Sequence, residues 1–238
     1  MAEGGTTTLL LLHPGGALHS VWLPLMRDLA GRYRVLAPDL PWQGPGSNSL
    51  RALAEGVAGL LRAEVGGPAL VAGGSLGANV ALHLALLAPD LVGGLVLDSA
   101  QAGGPPGQQL RMLRALQLVT APLPSRLYVG GVMRQFGGYP PEDRAAVRAE
   151  VERLGKQGFL AQTAAHGDHD VRADLPRIRA PTHLLAGERD PLTRSGHPQI
   201  LHGGIIGSTL EIVPDAGHVT FLSNPAPFRQ AVERMLKK

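Results

Sequence analysis

The chain has 238 residues, of which 44% are hydrophobic and 17% charged, and this balance excludes an intrinsically disordered protein. It contains no cysteine, which excludes disulfide bridges and thiolate zinc sites and suits a reducing compartment. The formal net charge is +3, and the basic residues alternate with acidic ones, so no basic stripe for nucleic acid is expected. The only apolar run near the start is four leucines long, too short for a signal peptide or a membrane span. We therefore expect a soluble, cytoplasmic protein with no nucleic-acid or membrane partner.

Apolar runs alternate with stretches of helical periodicity along most of the chain. The predicted strands are residues 7–13, 33–40, 69–74, 93–100, 182–187 and 208–214. The predicted helices between and after them are residues 20–32, 49–66, 76–89 and 225–237. Continuously apolar strands separated by helices indicate a parallel sheet buried on both faces. Right-handed crossovers then give a doubly wound, three-layer α/β domain.

Residues 101–172 interrupt this alternation. They show helical periodicity, several proline and glycine breaks and no convincing strand, which predicts three or four short helices laid over the sheet. The segment begins after the carboxyl end of a strand, where open α/β sheets bind ligands. We therefore predict a core made of residues 1–100 and 173–238, with residues 101–172 inserted as a helical lid.

A serine between glycines, in "GGSLG" at 73–77, follows the third predicted strand. This pattern has two explanations. The turn is tight and only small residues fit it, or Ser75 is a nucleophile on a strand-to-helix elbow. A nucleophilic serine needs a base and an acid that orients the base. His218 and Asp190 both follow later strands, in the chain order expected when the elbow comes first. Asp98, at the end of the fourth predicted strand, is the competing candidate for the acid.

Two backbone N–H groups are expected to stabilise the developing oxyanion. One belongs to Leu76, which opens the helix after the serine, and the other lies in "HPGG", after the first strand. Pro14 has no N–H, so Gly15 is the expected donor and Gly16 the reserve. We expect His13 to make structural hydrogen bonds beneath this loop rather than to catalyse.

These motifs together resemble those of the α/β-hydrolase family. The resemblance extends from "LLLLHPGG" through the elbow to "LLAGERDPLT" and "VPDAGHVTFLSNP", and so covers nearly the whole chain. It implies a catalytic triad carried on Ser75, Asp190 and His218, with a helical cap after the fourth strand.

The chain departs from the family pattern in three places. Pro14 stands where the family usually has glycine, and "DLPWQGPGSN" lacks the usual Gly-His-Gly-like turn. Only six residues precede the first predicted strand, where relatives commonly begin with an antiparallel hairpin. We therefore predict a shortened sheet of six parallel strands in the order 2-1-3-4-5-6. Its 33–38 edge would be exposed unless a partner, such as a second copy in a homo-oligomer, covers it.

Several further residues are candidates for the substrate pocket. The apolar faces of the predicted lid helices should line part of it. The candidates are Trp42 beside the oxyanion loop, Met112, Leu116, Tyr128, Met133 and Phe136 in the lid, and His169 after it. The segment "HGDHD" at 166–170 also offers possible metal ligands in His166, Asp168, His169 and Asp170. No other region of the sequence supplies a matching set, so we expect no metal.

The function that these features favour is a serine hydrolase acting on a small, mostly apolar ester or lactone through an acyl-enzyme, with a small-molecule substrate and no cofactor. The same triad would also support carbon–carbon bond hydrolysis, cofactor-free perhydrolysis or a proton-transfer elimination. An alternative that is not an enzyme is a non-catalytic binding module with the same fold, because a fold does not guarantee a function.

Overall fold

Six parallel strands form the central sheet of the molecule in a computed structural model that describes residues 7–43, 47, 49–104, 111, 114–115, 118–136, 139–167, 169–191 and 196–237. The strands are β1 (Thr8–Leu12), β2 (Arg34–Leu36), β3 (Ala69–Gly74), β4 (Val92–Asp98), β5 (Thr182–Gly187) and β6 (Thr209–Val213). Their order is β2-β1-β3-β4-β5-β6, and every neighbouring pair is parallel. The predicted strand number, direction and order are confirmed.

The four inner strands, β1, β3, β4 and β5, are buried on both faces because they are apolar at successive positions. In β1, Leu10 and Leu12 enter one hydrophobic core, while Leu9 and Leu11 enter the other. Side chains alternate between the two faces of a strand, so a continuous leucine run fills both cores at once.

Helices cover both faces of the sheet and complete the three layers. They are α1 (Leu23–Leu29), α2 (Leu50–Glu64), α3 (Leu76–Leu87), α4 (Ser125–Met133), α5 (Pro141–Ala164), α6 (His197–Gly204), α7 (Thr220–Ser223) and α8 (Pro225–Leu236). Helices α2, α3 and α6 contribute to one core, and α1 and α8 to the other. Among the helices that the structure describes, none is long and apolar enough to cross a membrane.

The described part of the segment between β4 and β5 contains helices, with turns and irregular chain before and after them. Helix α4 is followed by a 3-10 turn at Arg134–Phe136 and then by α5. Helix α5 spans 24 residues but is interrupted at Gly155, whose φ of 59° and ψ of −173° are not helical and suit glycine. It therefore consists of two shorter helical pieces, in agreement with the short helices expected here. An isolated antiparallel bridge joins Gly103 to Asp170 at the base of the segment. The division into a core and a lid at residues 101–172 stays a prediction.

The carboxyl ends of the strands converge at one edge of the sheet. The register pairs Leu12 with Gly73, Gly74 with Asp98, and Gly187 with Val213. The loops that follow β1, β3, β5 and β6 therefore meet, and each of them carries one of the predicted functional groups.

Candidate active site

Ser75 stands on a sharp turn between β3 and α3. Its φ of 49° and ψ of −108° lie in a region that few residues other than glycine occupy. The turn requires glycine on either side, because a Cβ on Gly77 would lie 2.1 Å from the Leu12 carbonyl oxygen. A Cβ on Gly73 would lie 2.7 Å from the Gly77 carbonyl carbon. The backbone N–H of Ser75 donates to the Asp98 carbonyl at 2.9 Å, which fixes the turn against β4.

The structure brings Ser75, His218 and Asp190 together in a hydrogen-bonded chain. His218 Nε2 lies 2.9 Å from Ser75 Oγ, and His218 Nδ1 lies 2.8 Å from Asp190 Oδ2. Asp190 is 1% exposed and accepts from Nδ1–H, which leaves Nε2 as the nitrogen that accepts the serine proton. The hydroxyl, the imidazole and the carboxylate thus stand in the relation of nucleophile, base and orienting acid.

Asp98, the competing candidate for the acid, contacts other groups. Its carboxylate accepts from Ser99 Oγ at 3.0 Å, Thr220 Oγ1 at 2.9 Å and Phe221 N–H at 3.1 Å. Burial raises the pKa of Asp98, and these donors oppose that rise. Ser99 Oγ in turn accepts from Val219 N–H at 3.0 Å, so this network supports the loop that carries His218.

The loop after β1 is held from below by His13. The imidazole Nδ1–H donates to the Pro14 carbonyl at 2.9 Å, and Nε2 accepts from Leu40 N–H at 2.9 Å. The ring is fully buried, and burial lowers its pKa, which keeps it neutral in the tautomer that both bonds require. This is the supporting role that we expected for His13.

The two glycines of this loop differ in the availability of their N–H groups. Gly16 N–H donates to Gln162 Oε1 at 2.8 Å, so the reserve oxyanion donor is already engaged. No acceptor for the N–H of Gly15 or of Leu76 is found in the described part of the chain. A Cβ on Gly15 would lie 3.9 Å from Leu76 Cβ, so the two residues are neighbours across the two loops. Gly15 and Leu76 therefore suit an oxyanion better than Gly16 does.

A cavity of about 430 Å³ opens above Ser75. Its floor consists of the oxyanion loop and the serine–histidine pair, and its walls come from α4, the 3-10 turn, α5 and the turn after α5. The wall residues are Tyr128, Val132, Gln135, Phe136, Phe159, Thr163 and His166, with Gln101, Asp190, Pro191, Val219 and Leu222 completing the lining. No lysine or arginine lines this cavity among the residues that the structure describes.

The predicted pocket residues divide into three groups. Tyr128 and Phe136 line the cavity, whereas Met112 and Leu116 lie outside the described residues. Two of the expected residues are elsewhere. Met133 is buried in the apolar core beneath α4, and Trp42 packs against Gly158 of α5, where a Cβ would lie 3.2 Å from the indole.

His169, expected at the cleft, also lies outside the cavity lining. Its Nε2–H donates to the Gln101 carbonyl at 2.8 Å, and its Nδ1 accepts from His83 Nε2 at 3.1 Å, so both ring nitrogens are engaged. His166, three residues earlier in the sequence, lines the cavity instead.

The groups considered as metal ligands do not converge at "HGDHD". The His166 and His169 rings are 6.4 Å apart, Asp170 pairs with Arg172 at 2.6 Å, and Asp168 lies outside the described residues. Within the described chain, one group of three potential ligands occurs away from the cavity. His19 Nδ1 lies 2.9 Å from Asp39 and 3.3 Å from Glu150. These contacts join α5 to two loops of the sheet as a hydrogen-bonded cluster.

Four residues that face the oxyanion loop and the cavity were not predicted from the sequence. Phe159, Gln162 and Thr163 are spaced i, i+3 and i+4, which places them on one face of α5, and His166 lies in the turn after that helix. This spacing is visible in the sequence. It does not by itself say what the face covers, because that depends on how the long helix packs.

A doubly wound sheet that joins a serine, an imidazole and a carboxylate above its edge is the arrangement of a serine hydrolase. The model of the alpha/beta hydrolase family matches residues 9–231. The chain is 30% identical, over 96% of its length and 94% of the relative, to the pimeloyl-[acyl-carrier protein] methyl ester esterase of Chromobacterium violaceum. It is 29% identical, over 94% of each protein, to the protein of that name from Nitrosomonas europaea.

The fold comparison agrees with the sequence comparison. A solved hydrolase from Pseudomonas aeruginosa PA01 superposes with a TM-score of 0.79 at 27% identity, covering all of this chain and 92% of the other. The chain therefore belongs to the alpha/beta hydrolase family and is an enzyme of the hydrolase class.

Proposed function

We propose that the protein is a serine esterase that cleaves small, mostly apolar carboxylic esters through an acyl-enzyme. The observation that carries the proposal is the hydrogen-bonded chain from Ser75 Oγ through His218 to the buried Asp190. The names of relatives that match nearly the whole chain, which are methyl ester esterases, support an ester as the substrate.

In the proposed reaction, Ser75 Oγ attacks the ester carbonyl carbon while His218 Nε2 takes the hydroxyl proton. Asp190 holds the imidazole in the required tautomer and stabilises its positive charge. The negative charge that develops on the carbonyl oxygen is stabilised by the N–H groups of Leu76 and Gly15.

The tetrahedral intermediate then expels the alcohol, which receives its proton from His218 Nε2–H, and the acyl group stays bonded to Ser75 Oγ. Water next attacks the acyl carbon and gives a proton to His218. Collapse of the second intermediate releases the carboxylic acid and returns the proton to Ser75. His218 Nε2 therefore carries the proton in both halves of the reaction, from Ser75 to the alcohol and from water back to Ser75.

The shape of the cavity supports a small substrate. A volume of about 430 Å³ lies at the small end of the range for ligand pockets, and most of the walls are apolar.

The test is the hydrolysis of p-nitrophenyl butyrate by the wild type and by Ser75→Ala. We expect the substitution to lower kcat by about 10⁴-fold or more, since it removes the nucleophile. Ser223→Ala is the matched control, because this serine is exposed on α7, outside the cavity lining, and should leave kcat unchanged. A folded Ser75→Ala protein that retains wild-type turnover would contradict the proposal, and a non-catalytic module would then explain the fold better.

A further inference from the structure

The cavity contains a buried hydroxyl group without a hydrogen-bond partner. Tyr128, on α4, is 7% exposed and lines the cavity, and within the part of the chain that the structure describes its Oη makes no hydrogen bond. A buried hydroxyl that gives up water without finding a protein partner destabilises the folded state. A bound ligand that accepts a hydrogen bond from the Tyr128 hydroxyl would explain why this group has no protein partner.

The hydroxyl lies beside the oxyanion loop. A Cβ built on Gly16 would be 3.7 Å from Tyr128 Oη and 3.2 Å from the ring of Phe159. Gly16 directly follows Gly15, the expected oxyanion donor. A substrate whose carbonyl oxygen meets Gly15 and Leu76 would therefore have the Tyr128 hydroxyl within reach of atoms a few bonds from the scissile carbonyl.

The polar groups of the cavity wall are uncharged. Burial raises the pKa of Tyr128 to about 12, so its hydroxyl keeps its proton and can donate. His166 Nδ1–H donates to the Thr163 carbonyl at 3.0 Å, which leaves Nε2 as an acceptor nitrogen. Burial lowers the pKa of His166 to about 4, so this ring is neutral as well. These two neutral groups, one a donor and the other an acceptor, suit an uncharged polar substituent.

We propose that Tyr128 Oη recognises the substrate by donating a hydrogen bond to an uncharged oxygen that lies a few bonds from the scissile ester carbonyl. The preferred substrate class is thus a neutral oxygen-bearing ester, such as a keto, hydroxy or alkoxy ester. This inference rests on the proposed esterase function and specifies its substrate.

The experiment measures kcat/KM for a series of isosteric p-nitrophenyl esters. The series consists of the pentanoate, the 3-methoxypropanoate and the ethoxyacetate, in which oxygen replaces a chain methylene at different positions. Tyr128→Phe removes only the hydroxyl. Tyr139→Phe is the matched control, because Tyr139 is also buried but lies outside the cavity lining and donates to the Val21 carbonyl at 2.9 Å.

Tyr128→Phe should lower kcat/KM about tenfold for at least one oxygen-bearing ester, the value of one neutral hydrogen bond. Its effect on the pentanoate should stay below about twofold, and its melting temperature should not fall, since no protein hydrogen bond is lost. Comparing each variant with the wild type on the same ester cancels differences in intrinsic reactivity. Tyr139→Phe should lower the melting temperature and change all three esters alike.

Two results would overturn the inference, and they are distinguishable. If the wild type hydrolyses the esters through Ser75 but Tyr128→Phe changes all three by the same factor, the recognition role of Tyr128 is wrong and the esterase function stands. If the wild type shows no Ser75-dependent turnover of any ester, the proposed function and the inference fail together.

Discussion

At the scale of single residues, the sequence separates the two candidate acids only in part. Asp98 and Asp190 both stand at or just beyond the carboxyl end of a strand, so a sequence pattern places either within reach of the histidine. Their surroundings differ in three dimensions. Asp190 faces the imidazole of His218, whereas Asp98 accepts bonds from the chain around Thr220. Tertiary hydrogen bonding, which no local pattern contains, distinguishes them.

Asparagine substitutions at the two positions should therefore have different effects. Asp190→Asn disturbs the tautomer and charge of the base, so kcat should fall by about 10³- to 10⁴-fold with little change in stability. Asp98→Asn turns an amide group toward N–H and O–H donors, which should lower the free energy of unfolding by about 1–3 kcal/mol while kcat stays within about tenfold. Ester hydrolysis and urea unfolding of both variants measure this. An equal loss of kcat in two folded variants would contradict the assignment.

At the scale of elements, apolar runs predicted where the strands lie and helical periodicity predicted the core helices, but two predicted elements are shorter in the structure. The strand predicted at 33–40 is β2 at Arg34–Leu36, and the helix predicted at 20–32 is a 3-10 turn at His19–Trp22 followed by α1. The predicted strand at 69–74 coincides with β3, and the predicted helix at 76–89 overlaps α3 at Leu76–Leu87. In α5 the glycine at 155 indicates a break, and the helix is interrupted there, since glycine tolerates positive φ without a steric penalty.

Helix α5 contributes to the site through the side chain of Gln162, whose Oε1 accepts from Gly16 N–H and whose Nε2 lies 3.5 Å from the Ala17 carbonyl oxygen. Gln162→Leu should lower kcat about tenfold or more while KM changes little, because a loosened loop stabilises the oxyanion less. Amide hydrogen exchange should become faster in the loop at residues 13–18. Gln157→Leu, at an exposed position of the same helix, is the control. Unchanged kcat and unchanged exchange in Gln162→Leu would show that the contact does not order the loop.

At the scale of the whole molecule, strand order follows from the resemblance and from the handedness of parallel crossovers, so it could be predicted. The edge strand β2 has three residues, and Arg34 at its start is exposed and bonded to Glu64. Short, charged edge strands resist pairing with another sheet. Association of two copies through this edge stays a prediction, which sedimentation velocity would test.

Buried histidines should make the stability of the whole chain depend on pH. Burial lowers the pKa of His83 and of His166 to about 4, with the neighbouring His169 contributing in both cases, and it lowers the pKa of His13 as well. An unfolded histidine titrates near 6.5, so below that pH the unfolded chain binds more protons than the folded one. The stabilisation is complete above pH 6.5 and is lost as the pH falls toward 4.

Urea unfolding between pH 7 and pH 5 measures this dependence. Each of these histidines should lower the free energy of unfolding by at most about 1.4 kcal/mol for each pH unit of acidification. The variant His166→Gln should show a shallower slope than the wild type, because one titrating group is gone. A free energy of unfolding that stays constant or rises over this interval would contradict the burial of these rings as neutral groups.

The central claim is that Ser75 is an activated nucleophile, and the most direct measurement is labelling of the folded protein with a fluorophosphonate, followed by peptide mapping. We expect one added phosphonyl group, located on Ser75 and absent from His218→Ala. No adduct on a folded wild-type protein, or an adduct on another residue that persists in Ser75→Ala, would contradict it.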